Sequence, residues 1–308
     1  MKDKLKRLNI ELTSRCNYAC VSCPTHRLLR GKGTMDINLY KSILDEVGNK
    51  LERIFLWGYG ESLLHPKITE LLRYLEGFSV WKIMSTNGWK LEDLADAESL
   101  TCLDNLIVSI NGLTPRKYAL HQVNGDIDKV IRGIKKVSPI LRDSKTKFIM
   151  QIVAHKENLD ELKKAGDFAR SYGFDILVIK SFNVMDRKQE TFDKFVPIGT
   201  PYSRYKKELN ELPENLKNVI YPCEEWMVIN WDGSVNPCCW DYTGKYNLGN
   251  VHEKGVYGVW NNVVASRHRN QIRTGKFLDI CINCANSKTI QIKSLTSKGE
   301  EEDVKKSI

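Results

Sequence analysis

Arg15-Cys16-Asn17-Tyr18-Ala19-Cys20-Val21-Ser22-Cys23-Pro24 places three cysteines within eight residues, directly after the apolar run Leu8–Leu12. Three thiolates this close can serve one metal site. A structural zinc site or a closed [4Fe-4S] cluster wants four protein ligands, and His26 is the nearby candidate for a fourth. Three ligands on a four-iron cluster would instead leave one iron open for a substrate or cofactor. Leu8–Leu12 is short and apolar enough to read as a strand, so the cysteines follow a strand's carboxyl end. In parallel α/β architectures the loops at those ends form the active face.

Outward from this loop, short apolar runs alternate with amphipathic stretches between residues 7 and 181, the pattern of strands crossed over by helices. Strands are predicted at Leu8–Leu12, Ile54–Trp57, Trp81–Ser85, Leu106–Ile110, Phe148–Val153 and Ile176–Ile179. Six β/α units are fewer than a closed eight-fold barrel needs. Ile37, Tyr40, Ile43, Leu44 and Val47 recur at helical spacing after Asp36 as N-cap, and Ile68, Leu71, Leu72 and Leu75 do so before Gly77. A capping box at Asn158 and Glu161 predicts another helix, and the helix marked by Ile127, Val130, Ile131, Ile134 and Val137 is expected to stop at Pro139. After Ser181 the sequence turns polar and proline-containing, which predicts a linker over 186–220. Trp226–Asn230, Trp231-Asp232-Gly233 and Ser234–Asn236 read as a hairpin on an Asp-Gly turn. A helix is expected over about 256–272, and the charged stretch 287–308 reads as a mobile polar tail.

The chain has 308 residues, enough to bury roughly 75% of its unfolded surface, so a small disulfide-stapled scaffold is excluded. Its nine cysteines are odd in number and eight of them fall in two clusters. That favours metal ligation in a reducing compartment, hence a cytoplasmic location. Residues 1–12 lack the uninterrupted apolar stretch of a signal peptide, and no run of 18 apolar residues suggests a membrane span. The net charge of +9 is spread among the acids and reads as a solvated surface; it is the one feature supporting the alternative of another class, a nucleic-acid modifying or binding protein.

Further motifs lie at successive strand ends. Trp57-Gly58-Tyr59-Gly60-Glu61 follows the second predicted strand, Ser85-Thr86-Asn87-Gly88 the third, and Ser109-Ile110-Asn111-Gly112 the fourth. Together with the Cys-x3-Cys-x2-Cys loop they resemble the radical S-adenosylmethionine (SAM) enzymes. The resemblance implies a partial (β/α)6 TIM-like barrel over 1–185. It implies a [4Fe-4S] cluster on Cys16, Cys20 and Cys23 whose open iron is chelated by SAM, and cleavage to a 5′-deoxyadenosyl radical. SAM contacts are implied at Gly58, Tyr59, Gly60, Glu61, Ser85, Thr86, Asn87, Ser109 and Asn111. Tyr59 stands where the family has the first glycine of Gly-Gly-Glu, Ser22 where it has an aromatic, and Asn111 where relatives often carry Asp. The arginine expected near the SAM carboxylate is replaced by His121-Gln122, so a protonated His121 is the candidate substitute.

A second cysteine cluster, Cys223, Cys238, Cys239, Cys281 and Cys284, follows. A hairpin between cysteines, then Cys-x2-Cys, resembles the auxiliary-cluster domain called SPASM, here in its truncated single-cluster "twitch" form, a small α+β domain over 221–286. Cys223, Cys238, Cys281 and Cys284 would ligate one closed [4Fe-4S] cluster; structural zinc is the alternative. Cys239 is left as an inert neighbour, the ligand in place of Cys238, or a hydrogen-atom donor. Cys102 reads as core. Lys180, ending the sixth strand, is a candidate base or substrate-binding group. The resemblance thus implies dehydrogenation or epimerisation of a carbohydrate, aminocyclitol or similar small metabolite. The auxiliary cluster would carry electrons, and a donor such as flavodoxin or ferredoxin would supply them. Peptide maturation is the alternative, although the first strand begins too early for a leader-binding domain before it.

Overall fold

The computed structural model describes residues 4–21, 23–209, 222–283 and 289–295. Within them the six predicted strands are present as β1 (Arg7–Ile10), β2 (Arg53–Leu56), β3 (Trp81–Thr86), β4 (Asn105–Ser109), β5 (Lys147–Ala154) and β6 (Ile176–Ser181). They are followed by β7 (Trp226–Ile229), β8 (Ser234–Asn236), β9 (Gly249–Asn250) and β10 (Thr289–Ser294). The helices are α1 (Ile37–Val47), α2 (Ile68–Leu75), α3 (Pro115–His121), α4 (Ile127–Arg142), α5 (Ala165–Ser171), α6 (Gln189–Phe195), α7 (Val251–Trp260) and α8 (Val263–Arg273). The fold class is mixed α/β on parallel strands, as the alternating pattern implies. Among the described residues no helix is long and apolar enough to cross a membrane.

The chain forms two compact units, the first comprising residues 4–16, 24–83 and 222–283 of those described. Here β1 lies between β2 and β7, parallel to both, with Leu8 opposite Ile54 and Met227 and Asn9 opposite Phe55 and Val228. The alternation fixes the faces: Leu8, Ile10, Ile54, Leu56, Met227 and Ile229 are fully buried apolar side chains. Asn9 and Glu11 fall on the other face of the same strand. The β7–β8 hairpin turns at Gly233, whose φ of 78° suits glycine, as the Asp-Gly signal predicts. Asp36 caps α1 by accepting from the amides of Asn38 (2.8 Å) and Leu39 (3.3 Å), and these bonds hold its carboxyl below the ordinary value. Glu46 of α1 accepts from the amides of Val256 (2.7 Å) and Tyr257 (2.8 Å), restarting α7 after Gly255 at φ 65°.

The second unit comprises residues 17–21, 23, 84–209 and 289–295 of those described. In it β4, β5 and β6 run parallel, with Leu106 opposite Phe148 and Ile149 opposite Ile176. Phe182, Val184, Phe192, Phe195, Val196, Tyr205 and Leu209 form a buried cluster, against which Val21 of the cysteine loop packs. The stretch 186–209, expected as linker, therefore holds core residues and α6. Residues 210–221 of that expected linker lie outside the described residues.

Four further expectations are corrected. The polar tail is not a tail over Thr289–Ser294, which pairs antiparallel with β6, Ile292 opposite Val178; an unpaired strand edge offers donors and acceptors that this alternating segment satisfies. Residues 287, 288 and 296–308 lie outside the described set. The helix expected over 256–272 is two helices, because Asn262 caps α8 by accepting from the Ala265 amide (2.8 Å). Pro139 does not stop α4, which runs to Arg142; the ring deletes one intrahelical bond, and buried Val137, Ser138 and Leu141 hold the rest. No helix opens at Asn158, since its amide is turned to the carbonyls of Asn111 (3.0 Å) and Val153 (2.9 Å). Glu161 takes the Leu113 amide (2.7 Å) and the Thr114 hydroxyl (3.1 Å).

Candidate functional site

In the first unit, the segment after β2 is templated on the chain leaving β1. The Glu61 amide donates to the Arg15 carbonyl (2.8 Å). The Tyr59 amide donates to Glu11 Oε2 (2.9 Å), and the Thr25 hydroxyl donates to the Tyr59 carbonyl. Gly60 packs on the Thr13 and Arg15 carbonyls with no room for a Cβ, which explains why glycine stands there. Glu61 is 3% exposed and its Oε1 accepts from the Leu63 amide (3.1 Å). Beneath the segment, Arg30 donates from both Nη atoms to the two oxygens of Glu11, each at 2.6 Å. The Arg30 and Glu11 side chains are only 8% and 1% exposed. Sequence reasoning missed this pair. Its one signal was an acid at the end of an otherwise apolar strand; Arg30 gave none.

The second cysteine group lies in the same unit. Cys223, Cys238 and Cys281 are half-buried and Cys239 is exposed, while Cys284 lies outside the described residues. Burial pushes the Cys223 thiol up to about 12, with Cys281 and Cys239 adding to the effect. It raises Cys281 as well. Both thiols must lose protons to ligate a metal, so loading this site releases protons and is favoured at higher pH. The loop that continues from Cys238 and Cys239 is braced: the Asp241 amide donates to the Cys238 carbonyl (3.2 Å), and its carboxylate takes the amides of Lys245 (2.9 Å) and Tyr246 (2.8 Å). Tyr59 reaches this loop, its hydroxyl donating to the Cys239 carbonyl and its ring meeting Tyr242 edge-on at 5.8 Å.

In the second unit, residues 17–21 and 23 of the cysteine loop are held by backbone bonds. The Val21 amide donates to the His121 carbonyl (2.9 Å), the Ala19 amide to the Val123 carbonyl (3.0 Å), and the Cys23 amide to the Cys20 carbonyl (3.1 Å). Asn87 Nδ2 donates to Asn17 Oδ1 (3.0 Å), tying the Thr-Asn-Gly turn to this loop, while the Thr86 hydroxyl takes the Gly88 amide (3.0 Å). Ser85, Ser109 and Lys180 are half-buried. The Ser109 carbonyl accepts from Gln122 Nε2 (3.0 Å), and Lys180 lies in register with Val153 and Thr289.

Asn111 is committed to the fold at every polar atom. Its amide donates to Gln122 Oε1 (2.8 Å), its Nδ2 to His121 Nδ1 (3.0 Å), its Oδ1 accepts from the Val153 amide (2.8 Å), and its carbonyl accepts from Asn158 Nδ2 (3.0 Å). His121 stacks on His155 at 5.4 Å, the planes 14° apart. Burial, with His155 alongside, drives His121 down to about 3; burial takes His155 to about 4. The expectation of a protonated His121 is therefore corrected. The imidazole is neutral, accepts from Asn111, and has no charge to offer a carboxylate. His121-Gln122-Val123 is instead the scaffold under the cysteine loop.

These depressed values have a pH consequence. Between the ordinary value near 6.5 and the folded values of about 3 and 4, the unfolded chain binds protons that the folded chain refuses. Stability is whole above about pH 6.5 and falls on acidification, approaching ~1.4 kcal/mol per pH unit for each histidine. His65 and His268, also lowered by burial, act in the same direction. Denaturant unfolding at pH 7.5 and 5.5 should show the loss, and H155Q should reduce it by one histidine's share; equal stability at both pH values would contradict neutral burial.

The eight described cysteines are thiols. Among the described residues no three His, Cys, Asp or Glu side chains converge on a single-ion position. A cubane does not ask for that, since it takes each thiolate on a different iron. By its chemistry the donor set suits a cluster, three cysteines within eight residues on a loop pinned by backbone bonds.

The family model described as the radical SAM superfamily matches residues 10–174, more than half of the chain, and that for SPASM, an iron-sulfur cluster-binding domain, matches residues 223–285. The chain is 26% identical to a tungsten-containing aldehyde ferredoxin oxidoreductase cofactor-modifying protein of Pyrococcus furiosus, over 83% of this chain and 81% of that one. It is 27% identical to a probable GTP 3′,8-cyclase of Methanocaldococcus jannaschii, over 71% and 72% of the two chains. Among solved structures, BtrN in complex with AdoMet and 2-DOIA matches with a TM-score of 0.56 at 18% identity, over 92% of this chain and 94% of that one. Streptococcus suis SuiB bound to S-adenosylmethionine matches at 0.63 and 16%, over 87% and 68%. These likenesses show a shared fold, and the two matched domains bring a SAM-binding [4Fe-4S] cluster, auxiliary iron-sulfur ligation and SAM as cofactors. The chain belongs to the radical SAM superfamily and carries a SPASM iron-sulfur domain.

Proposed function

We propose that this radical SAM enzyme acts on a carbohydrate, aminocyclitol or similar small polar metabolite, by dehydrogenation or epimerisation, with an auxiliary [4Fe-4S] cluster in electron transfer. The observation that supports the redox-coupled reading is the Tyr59 hydroxyl bond to the Cys239 carbonyl, which joins the Gly58–Glu61 segment to the auxiliary cysteines within one unit. When bound, reduced cluster and SAM supply a 5′-deoxyadenosyl radical that removes a hydrogen atom from the substrate.

The chain's own residues would do the rest. Cys16, Cys20 and Cys23 hold the SAM cluster, and Glu61 and the backbone of Gly58–Gly60 receive the amino group of SAM. Thr86 and Asn87 keep the third strand-end turn in shape. Asn111, on this reading, orders the loop beneath and does not itself touch SAM. In dehydrogenation, the substrate radical loses one proton to a base, for which Lys180 is the candidate, and one electron to the auxiliary site, giving a ketone. In epimerisation, Cys239 would return a hydrogen atom from its thiol to the opposite face, and its sulfur radical would regain the thiol by taking up one electron, for which the auxiliary cluster would be the source, and one proton from solvent. BtrN, whose structure holds 2-DOIA, matches over nearly its full length, so a chain of this size is compatible with a small-molecule substrate.

Specifically deuterated candidate substrates test the reading. Label should appear in 5′-deoxyadenosine, with a ketone or an epimer as product; label transferred only from a peptide would replace the metabolite reading with maturation. The cysteine pair is tested separately by iron content. If Cys238 is the ligand, C238A loses the auxiliary cluster's iron, about four per chain, and C239A keeps it while losing epimerisation alone. The reverse iron pattern would make Cys239 the ligand and remove it as donor.

A further inference from the structure

We propose that Tyr59 is a positioning residue that ties the auxiliary cysteine loop to the SAM-binding segment, so that SAM occupancy and the environment of the auxiliary cluster are linked through it. The inference rests on the functional reading above and concerns a position where this chain departs from the family's glycine.

A glycine here would have no atom beyond Cα to reach the auxiliary loop. Tyr59 does, and its own backbone has little freedom: Glu11 holds its amide (2.9 Å) and Thr25 its carbonyl. Glu11 is in turn fixed by the two bonds from Arg30 at 2.6 Å. The phenol is therefore a strut rooted in the same segment as Glu61. At its far end the hydroxyl donates to the Cys239 carbonyl, and the ring abuts Tyr242.

The loop it touches is equally stiff. Asp241 is 1% exposed, its carboxylate bonded to two amides, and Asn236 Nδ2 donates to its carbonyl (2.6 Å). A small shift of residues 58–61 on SAM binding is then passed to the Cys239 peptide, because neither end of the contact is soft enough to absorb it. Peptide orientation and hydrogen bonding near a cluster's sulfurs tune its potential. Linkage is reciprocal, so the redox state of the auxiliary cluster must change SAM affinity by the same factor by which SAM shifts the cluster's reduction equilibrium.

The test uses the reconstituted full chain with SAM as the probe, comparing wild type, Y59F, which removes only the hydroxyl, and Y59G, which removes the strut. The readouts are SAM affinity by calorimetry and the auxiliary cluster's reduction potential by spin-resonance titration, with and without SAM; iron content is the folding control. SAM should shift the auxiliary potential of wild type. Y59F should lose most of that shift and bind SAM about 2- to 10-fold more weakly, and Y59G should lose the shift altogether, with iron retained in both. A Y59F shift equal to wild type, or no shift in a wild type carrying both clusters and cleaving SAM, overturns the proposal and leaves the functional reading standing. A wild type that holds iron and forms no 5′-deoxyadenosine overturns both.

Discussion

Replacing Glu11 with alanine is expected to destabilise the fold by about 3–5 kcal/mol, the cost of stranding a buried charge. The carboxylate is 1% exposed and answers both Nη atoms of an Arg30 side chain that is 8% exposed. Its removal leaves a guanidinium with no acceptor at Nη1 or Nη2, where Nε already has no hydrogen-bond partner among the described residues. It also leaves the Tyr59 amide without its acceptor and opens a gap beside Gly58, which packs on the Glu11 side chain with no room for a Cβ. Denaturant unfolding measures the loss. The double variant E11A/R30M should regain most of it, because removing both charges together eliminates the unpaired ion, yet its SAM affinity should stay below wild type since Tyr59 remains untethered. A single E11A variant within ~1 kcal/mol of wild type would show that water reaches Arg30 and that the pair does not fix the segment.

The same residues mark where the sequence could be read and where it could not. All six predicted strands and the Asp-Gly hairpin were legible, because branched apolar runs of four to eight residues bounded by turns have few alternatives. Asp36 was legible as a cap for the same local reason. Pro139 misled because burial of Val137 and Leu141 outweighs one lost helical bond, a balance that no local signal carries. The strand at Thr289–Ser294 was hidden by its polar composition, since it needs only a free edge of β6 and not a buried face of its own. Among the candidate site residues, the cysteine spacing spoke for itself, whereas Glu11–Arg30 and Asn111–His121–His155 are partners 19, 10 and 44 residues apart, joined only by folding. His121 was the instructive case: a titratable side chain in the right stretch of sequence, whose burial then removes the charge it was credited with.

Removal of any cysteine of the first loop carries the largest expected effect on activity. On the proposed ligation each thiolate would hold a different iron, so C16A, C20A or C23A would leave two protein ligands on a cluster that needs three, and SAM would lose its chelating iron. SAM cleavage should fall at least about a thousandfold, ~4 kcal/mol of transition-state stabilisation. Iron at the proposed auxiliary site should persist, and the fold with it, because the loop's hydrogen bonds to residues 121–123 are made by its backbone. The central claim is tested most directly by incubating the anaerobically reconstituted, reduced wild-type chain with SAM and quantifying 5′-deoxyadenosine and methionine beside C16A. The account predicts equimolar formation of both by wild type and neither above background by C16A. Iron-loaded wild type that forms no 5′-deoxyadenosine, or C16A that forms as much, would contradict it.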